Sequence, residues 1–130
     1  MSRRGEAATE HERALAAFKR FAAAGYARER FTPALYKALT FSFGFVAHYD
    51  LGGFYGSRFE TADRRVTTLE QVLNYNATSP FEMSLRQYVL EKGLLDAERR
   101  LAAEQLEARE RAELARLKAK YEPAEEDTLP

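Results

Sequence analysis

Residues 41–59, FSFGFVAHYDLGGFYGSRF, constrain the fold more than any other stretch of this chain. They hold seven of its sixteen Phe and Tyr residues and four of its seven Gly residues. Rings gathered in this way have to be buried or covered by a partner, because large apolar area is unfavourable in water. The stretch is therefore predicted to be either the centre of the core or a binding surface.

Length and composition indicate one globular domain. The chain has 130 residues, of which 45 % are hydrophobic and 31 % charged, and this suffices for a sizeable core. It contains no Cys, which excludes disulfides and cysteine-ligated zinc. The first residues show no apolar leader, and no apolar run reaches the ~20 residues of a membrane-spanning helix. We expect a cytoplasmic protein without membrane contact.

The net charge is zero, but the charges are unevenly distributed. Residues 1–40 carry eight basic and four acidic side chains, net +4, and residues 121–130 carry four acids and no base, net −4. The basic N-terminal third suits an anionic partner. It is weaker than the basic face of a dedicated nucleic-acid-binding protein.

Two helices are predicted in the first half of the chain. Thr9 and Glu12 fit a capping box, in which each side chain satisfies a free amide of the other residue. This helix is expected to end at Gly25, which can take the left-handed conformation. Thr32-Pro33 combines an N-cap with a proline at the first helical position. The second helix is expected to run to about Tyr49, although three Phe at alternate positions within it also fit a strand.

The second half is predicted to hold a short helix and a long one. A polar loop over 60–66 precedes Thr67-Thr68-Leu69-Glu70, where the first Thr and the Glu fit a capping box. Ser79-Pro80 begins a helix that can extend unbroken to Tyr121. Gly93 is a candidate break within it.

The predicted fold is all-α, a small helical domain of about four to five helices with a long charged C-terminal helix. Its parts are a flexible N-terminus (1–8), a helical domain with an aromatic, Gly-rich centre (9–95), a charged extension of the last helix (96–121) and a disordered acidic tail (122–130). Apolar residues at helical spacing give the predicted core. They are Leu15, Phe18, Leu35, Leu39, Phe43, Val46, Leu69, Val72, Leu73, Leu85 and Val89.

His48, Tyr49 and Asp50 are the candidates for catalysis. Helical residues two positions apart point about 200° away from each other, so His48 and Asp50 cannot hydrogen-bond directly on a helix. The sequence also lacks a nucleophile elbow, a phosphate loop and a dinucleotide fingerprint. We therefore predict no catalytic residue, no metal ligand and no cofactor, and an enzyme that uses these three residues is the second alternative.

Aromatic and basic residues share the segment from Tyr49 to Arg65, and Tyr and Arg are favoured anchors of protein interfaces. The predicted partner-binding residues are Tyr49, Tyr55, Arg58, Arg64 and Arg65. The open alternative is that these rings belong to the core and that the arginines are solvated.

The first function hypothesis is a non-enzymatic protein–protein interaction module. An accessory or inhibitor protein of a phage or other mobile element, which binds and masks a partner protein, would fit it. The alternative is a nucleic-acid-binding regulatory protein that uses the basic N-terminal third with Arg58, Arg64 and Arg65. Homodimerisation through the C-terminal helix is a further possible assembly.

Overall fold

The computed structural model describes residues 9–43 and 51–122, and these residues form six α-helices and one short 3₁₀ turn. The helices are α1 (Glu10–Ala23), α2 (Pro33–Phe43), α3 (Leu51–Arg58), α4 (Ala62–Asn74), α5 (Pro80–Glu91) and α6 (Leu94–Tyr121), and the turn is Arg28–Arg30. The predicted all-α class with a long C-terminal helix is confirmed. Phe41 and Phe43 lie on α2, so the strand alternative does not hold for them.

Three helices begin where the sequence signals place them. Thr9 caps α1 and Ser79 caps α5, each through a complete capping box with a Glu three residues later. At the start of α2, the hydroxyl of Thr32 accepts a hydrogen bond from the amide of Leu35 at 3.2 Å. These boundaries are local chemistry, because a cap needs only the residues of its own first turn.

Helix α4 begins earlier than predicted. Its N-cap is Thr61, whose hydroxyl accepts from the amide of Arg64 at 3.2 Å. Thr67 lies inside the helix, so its predicted capping box with Glu70 is wrong, as is the polar loop before it. The charges that favoured a loop include Arg65, and this side chain is buried in the fold.

Gly93 separates α5 from α6, so the long helix is not continuous. Its φ is +60°, in the left-handed region where an L side chain is strained. A Cβ added at Gly93 would meet no heavy atom within 4 Å. The glycine is therefore needed for backbone conformation and not for close packing. This break divides one predicted helix into two, so the described residues form six α-helices where four to five were predicted.

The core is one cluster in which rings predominate. Eight predicted core residues are buried, and Leu15 and Leu73 pack against them in part. Val46 lies outside the described residues. The cluster also takes in rings that the helical spacing did not select, namely Phe21, Tyr26, Phe31, Phe54, Tyr55, Phe59 and Phe81. The rings in the described part of the 41–59 stretch therefore belong to the core, apart from Phe41, which is 88 % exposed.

Helix α6 lies antiparallel to α4 and then leaves the domain. Arg99 on α6 contacts Glu70 on α4, and Arg109, ten residues further along α6, contacts Asp63 near the start of α4. The two chain directions are therefore opposite. Every residue from 103 to 122 is exposed. We call this segment, which is about 30 Å long at 1.5 Å per residue, the C-terminal arm. The proposed flexible segment 1–8 and tail residues 123–130 lie outside the described residues.

Candidate functional site

Tyr55, a predicted partner-binding residue, lies on α3 and is only 8 % exposed. Its hydroxyl donates a hydrogen bond to the backbone carbonyl of Tyr26 at 2.7 Å. The rings of Phe21 and Phe31 lie 6.2 and 5.7 Å from its ring, between centroids. Arg28 stacks over its face at 5.0 Å, where a guanidinium is attracted to the ring. The Tyr55 side chain thus has internal partners on both its ring and its hydroxyl.

Arg65 is also buried, with 9 % of its area exposed. Its Nε donates to Oε1 of Glu98 at 2.7 Å, and its Nη1 donates to the carbonyl of Phe59 at 2.8 Å. The guanidinium lies 5.1 Å from the ring centroid of Tyr26. Arg65 therefore joins α4 to α6, to the end of α3 and to the turn after α1.

Arg58 and Arg64 lie nearer the surface. Arg58 is half-buried and donates to the side-chain oxygen of Gln71, while its guanidinium stacks over Phe54. Burial lowers the pKa of Arg58 from its ordinary value. Arg64 is exposed and donates to the carbonyl of Gly56. Both arginines bridge α3 and α4 and still leave charge at the rim of this helix pair.

Four of the five predicted residues are described, and they do not all face the solvent. Tyr55 and Arg65 face inward, and Arg58 and Arg64 lie at the rim. Tyr49 lies outside the described residues, as do the catalytic candidates His48 and Asp50. A partner-binding role for these residues stays a prediction. Their packing shows in any case that the 51–65 segment helps to build the core.

Sequence reasoning did not single out the apolar side of the C-terminal arm. Four large apolar side chains are exposed there: Leu106 at 48 %, Leu114 at 54 %, Leu117 at 36 % and Tyr121 at 69 %. At 100° per residue they fall within about 80° of one another around the helix axis. We call these four residues the apolar stripe.

Taken together with Leu101, the leucines of α6 do not hold a heptad register, so a coiled-coil pattern does not reveal the stripe. Leu101 lies about 140° around the axis from Leu106 and is half-buried. Removing Leu101 and adding Tyr121 leaves spacings of eight, three and four, which keep to one side of a helix. The signal was present in the sequence but required knowledge of where α6 leaves the domain.

The arm is polarised in charge. Residues 103–113 carry four acidic and two basic side chains, net −2, and residues 114–122 carry three basic and one acidic, net +2. Glu107 pairs with Arg111, and Glu113 with Arg116, each at 2.6 Å along the helix. The hydrogen bond from Arg116 lowers the pKa of Glu113. Such pairs along one face support an exposed helix only weakly.

In 9–43 and 51–122, no three His, Cys, Asp or Glu side chains are grouped as metal ligands would be. None of the helices in the described ranges is both long enough and apolar enough to cross a membrane. No protein-family model matches this sequence, and comparison with curated proteins and with solved structures gives no match.

Proposed function

We propose that this protein is a non-enzymatic interaction module whose C-terminal arm binds an amphipathic helix of another protein. The observation that carries the proposal is the apolar stripe, which lies on a helical segment where every residue is exposed. Helices in proteins take most of their stability from packing an apolar face against another element. An exposed arm with Leu residues aligned on one side is suited to such packing with a partner.

The chemistry of the partner follows from the size and charge of the arm. Four partly exposed side chains offer less area than the ~800 Å² that each partner contributes to a stable complex. The partner therefore has to contact the charged flanks as well. Because the arm is acidic in its first half and basic in its second, an antiparallel helix with the same order of charge places acids against bases.

The aromatic segment supports this function indirectly. Tyr55 and Arg65 hold α1, α3, α4 and α6 together, and this packing fixes the direction in which the arm leaves the domain. Arg58 and Arg64 at the rim would add contacts only for a partner that reaches past the arm. In this proposal the arm makes the main contact with the partner, and the rest of the domain fixes the position of the arm.

The test compares two double variants that remove similar exposed apolar area. Leu114→Ser with Leu117→Ser disrupts the stripe, and Met83→Ser with Leu90→Ser is the control on α5, where both residues are 56 % exposed. Each protein and the wild type are used for affinity capture, and a captured protein is then titrated by calorimetry. We expect the stripe variant to bind at least about tenfold more weakly and the control to bind as the wild type does.

Equal binding by all three proteins, or capture of nothing that depends on the stripe, would contradict the proposal. Light scattering of each protein alone identifies a different occupant. A wild-type dimer that is lost only in the stripe variant would assign the stripe to a second copy of the chain and overturn the assignment to another protein.

A further inference from the structure

The connection between α5 and α6 is one residue away from helical geometry. Helix α5 ends at Glu91, Lys92 still has right-handed helical angles, and α6 begins at Leu94. Gly93 alone takes the left-handed conformation, with φ +60°. The residues around it favour helix, and their pattern predicts a continuous helix through this position. A rotation at Gly93 would therefore fuse the two helices and carry α6 away from its own domain.

We propose that the face of α4 that holds α6 is also the docking site for α6 of a second copy, in a domain-swapped dimer. In the dimer Gly93 is helical, α5 and α6 form one straight helix, and each α6 packs on the α4 of the other chain. This inference does not rest on the apolar stripe or on a foreign partner, so it is independent of the proposed function.

The contacts of α6 suit a second copy because they are the native ones. Arg65 with Glu98 at 2.7 Å and Arg99 with Glu70 at 2.9 Å depend only on α6 lying along α4. Every one of these pairs re-forms when α6 comes from an identical chain, so charge complementarity is complete. Exchange of identical elements is a low-cost route to a dimer, and the main opposing term is the entropy of association.

The left-handed glycine sets the balance between the two forms. Glycine accepts left-handed and helical angles at similar cost, so closed and open hinges are both available to the wild type. Alanine does not share this freedom, since its Cβ is strained in the left-handed conformation and alanine favours the α-helix. Gly93→Ala therefore destabilises the closed monomer and stabilises the straight helix of the swapped dimer.

Gly25→Ala is a matched control. Gly25 is also left-handed, with φ +70°, and a Cβ added there would likewise meet nothing within 4 Å. It lies in the turn after α1, where Tyr26 is left-handed as well, so a rotation at Gly25 alone cannot continue α1 as a straight helix. Both variants carry the same backbone strain, and only Gly93→Ala has a swapped form that relieves it.

Sedimentation equilibrium measures the outcome. We expect Gly93→Ala to raise the dimer association constant about a hundredfold over the wild type, with about tenfold from each of its two hinges. Gly25→Ala is expected to lose stability and to associate no more than the wild type. A monomeric Gly93→Ala protein, or equal dimerisation by both variants, would overturn the proposal.

Cross-linking then tests whether the dimer is swapped. The chain contains no Cys, so introduced thiols are unique. In the Gly93→Ala background, Glu70→Cys is made in one chain and Arg99→Cys in another, and the two are unfolded, mixed and refolded. A short bismaleimide should join the two chains only if α6 of one lies on α4 of the other. A dimer in which the two introduced thiols form no cross-link between chains would show another interface and overturn the swap.

Discussion

Arg65 on α4 and Glu98 on α6, which are 33 positions apart in the sequence, form an ion pair at 2.7 Å with each side chain only 11 % exposed. Removing two charges from water costs several kcal/mol for each ion. The Phe59 carbonyl and the face of the Tyr26 ring offset part of this cost on the arginine side. The pair therefore fixes the position of α6 along α4.

Removal of one partner of this pair should be strongly destabilising. We expect Glu98→Ala to lower the free energy of unfolding by about 3–5 kcal/mol, because Arg65 then stays buried without its counter-charge. Urea denaturation measures the change. The exposed Arg99 is the control, and Arg99→Ala should cost less than about 1 kcal/mol.

Replacing both buried partners, as in Arg65→Met with Glu98→Leu, should cost less than the two single changes together. Equal losses for Glu98→Ala and Arg99→Ala would show that the pair is not held as described.

Removal of the Tyr55 hydroxyl should lower the free energy of unfolding, whereas removal of the Tyr26 hydroxyl should not. The Tyr55 hydroxyl donates to a buried carbonyl, so Tyr55→Phe is expected to cost about 1–2 kcal/mol. The Tyr26 hydroxyl is buried and has no hydrogen-bond partner among the described residues. Tyr26→Phe should therefore leave the free energy of unfolding unchanged or raise it by up to ~1 kcal/mol. Thermal and urea unfolding of both variants give the comparison, and a larger loss for Tyr26→Phe would contradict it.

Stability should fall at alkaline pH through Tyr26. Burial raises the pKa of Tyr26 above its ordinary value of about 10, and the charge of Glu98 raises it further. The unfolded chain then loses this proton before the folded one does. The contribution of the protonated Tyr26 to the free energy of unfolding is therefore complete below about pH 10, and it is lost progressively as the pH rises above this value. Urea midpoints at about pH 9 and about pH 11 should separate for the wild type, and the part due to Tyr26 should be missing in Tyr26→Phe.

The N-cap of α4 can be identified by two threonine substitutions. Thr61→Ala removes the hydroxyl that accepts from Arg64 and should cost about 1 kcal/mol. Thr67→Ala lies within the helix, where alanine is the better helix former, and should be neutral or slightly stabilising. Chemical denaturation compares the two. The reverse order of losses would place the cap where the sequence pattern first suggested.

Hydrogen exchange should divide α6 in two. Amides near Glu98 lie where the helix packs on α4, and this contact extends to Arg109 beside Asp63, whereas residues 110–122 are exposed. A helix without tertiary packing opens with little free energy, so its amides exchange far faster than those of the core. We expect protection to drop beyond Arg109, as measured by mass spectrometry on peptides. Uniform protection along α6 would show that the arm is packed against something in solution.

The predictable parts of the fold are those that depend on neighbouring residues. The caps at Thr9, Thr32 and Ser79 involve only one helical turn each, and they were read correctly from the sequence. The buried face of α2 follows from a four-residue spacing, as at Leu35 and Leu39. Helical class and most of the aliphatic core were therefore accessible without a structure.

The parts that were missed depend on residues distant in the sequence. Arg65 reads as a solvated charge until Glu98 and the Phe59 carbonyl are brought to it. The burial of Tyr55 depends on the carbonyl of Tyr26, which accepts its hydroxyl, whereas its partner-binding role stays a prediction. The start of α4 was misplaced for the same reason, since its first turn carries that arginine inward. The apolar stripe needed a further long-range fact, the point at which α6 leaves α4.

The ring cluster also allows the packing of the core to be followed by near-ultraviolet circular dichroism. The chain has seven Tyr and no Trp, so its near-ultraviolet signal comes from tyrosine and phenylalanine. Tyr26 is stacked on Phe59 at 6.1 Å and Tyr55 lies 5.7 Å from Phe31, so both chromophores lie within fixed, asymmetric surroundings. Far-ultraviolet dichroism, by contrast, includes the helical arm. A state that keeps its helices but loosens its core would lose the near-ultraviolet band and keep the far-ultraviolet one, and no added label is needed to detect it.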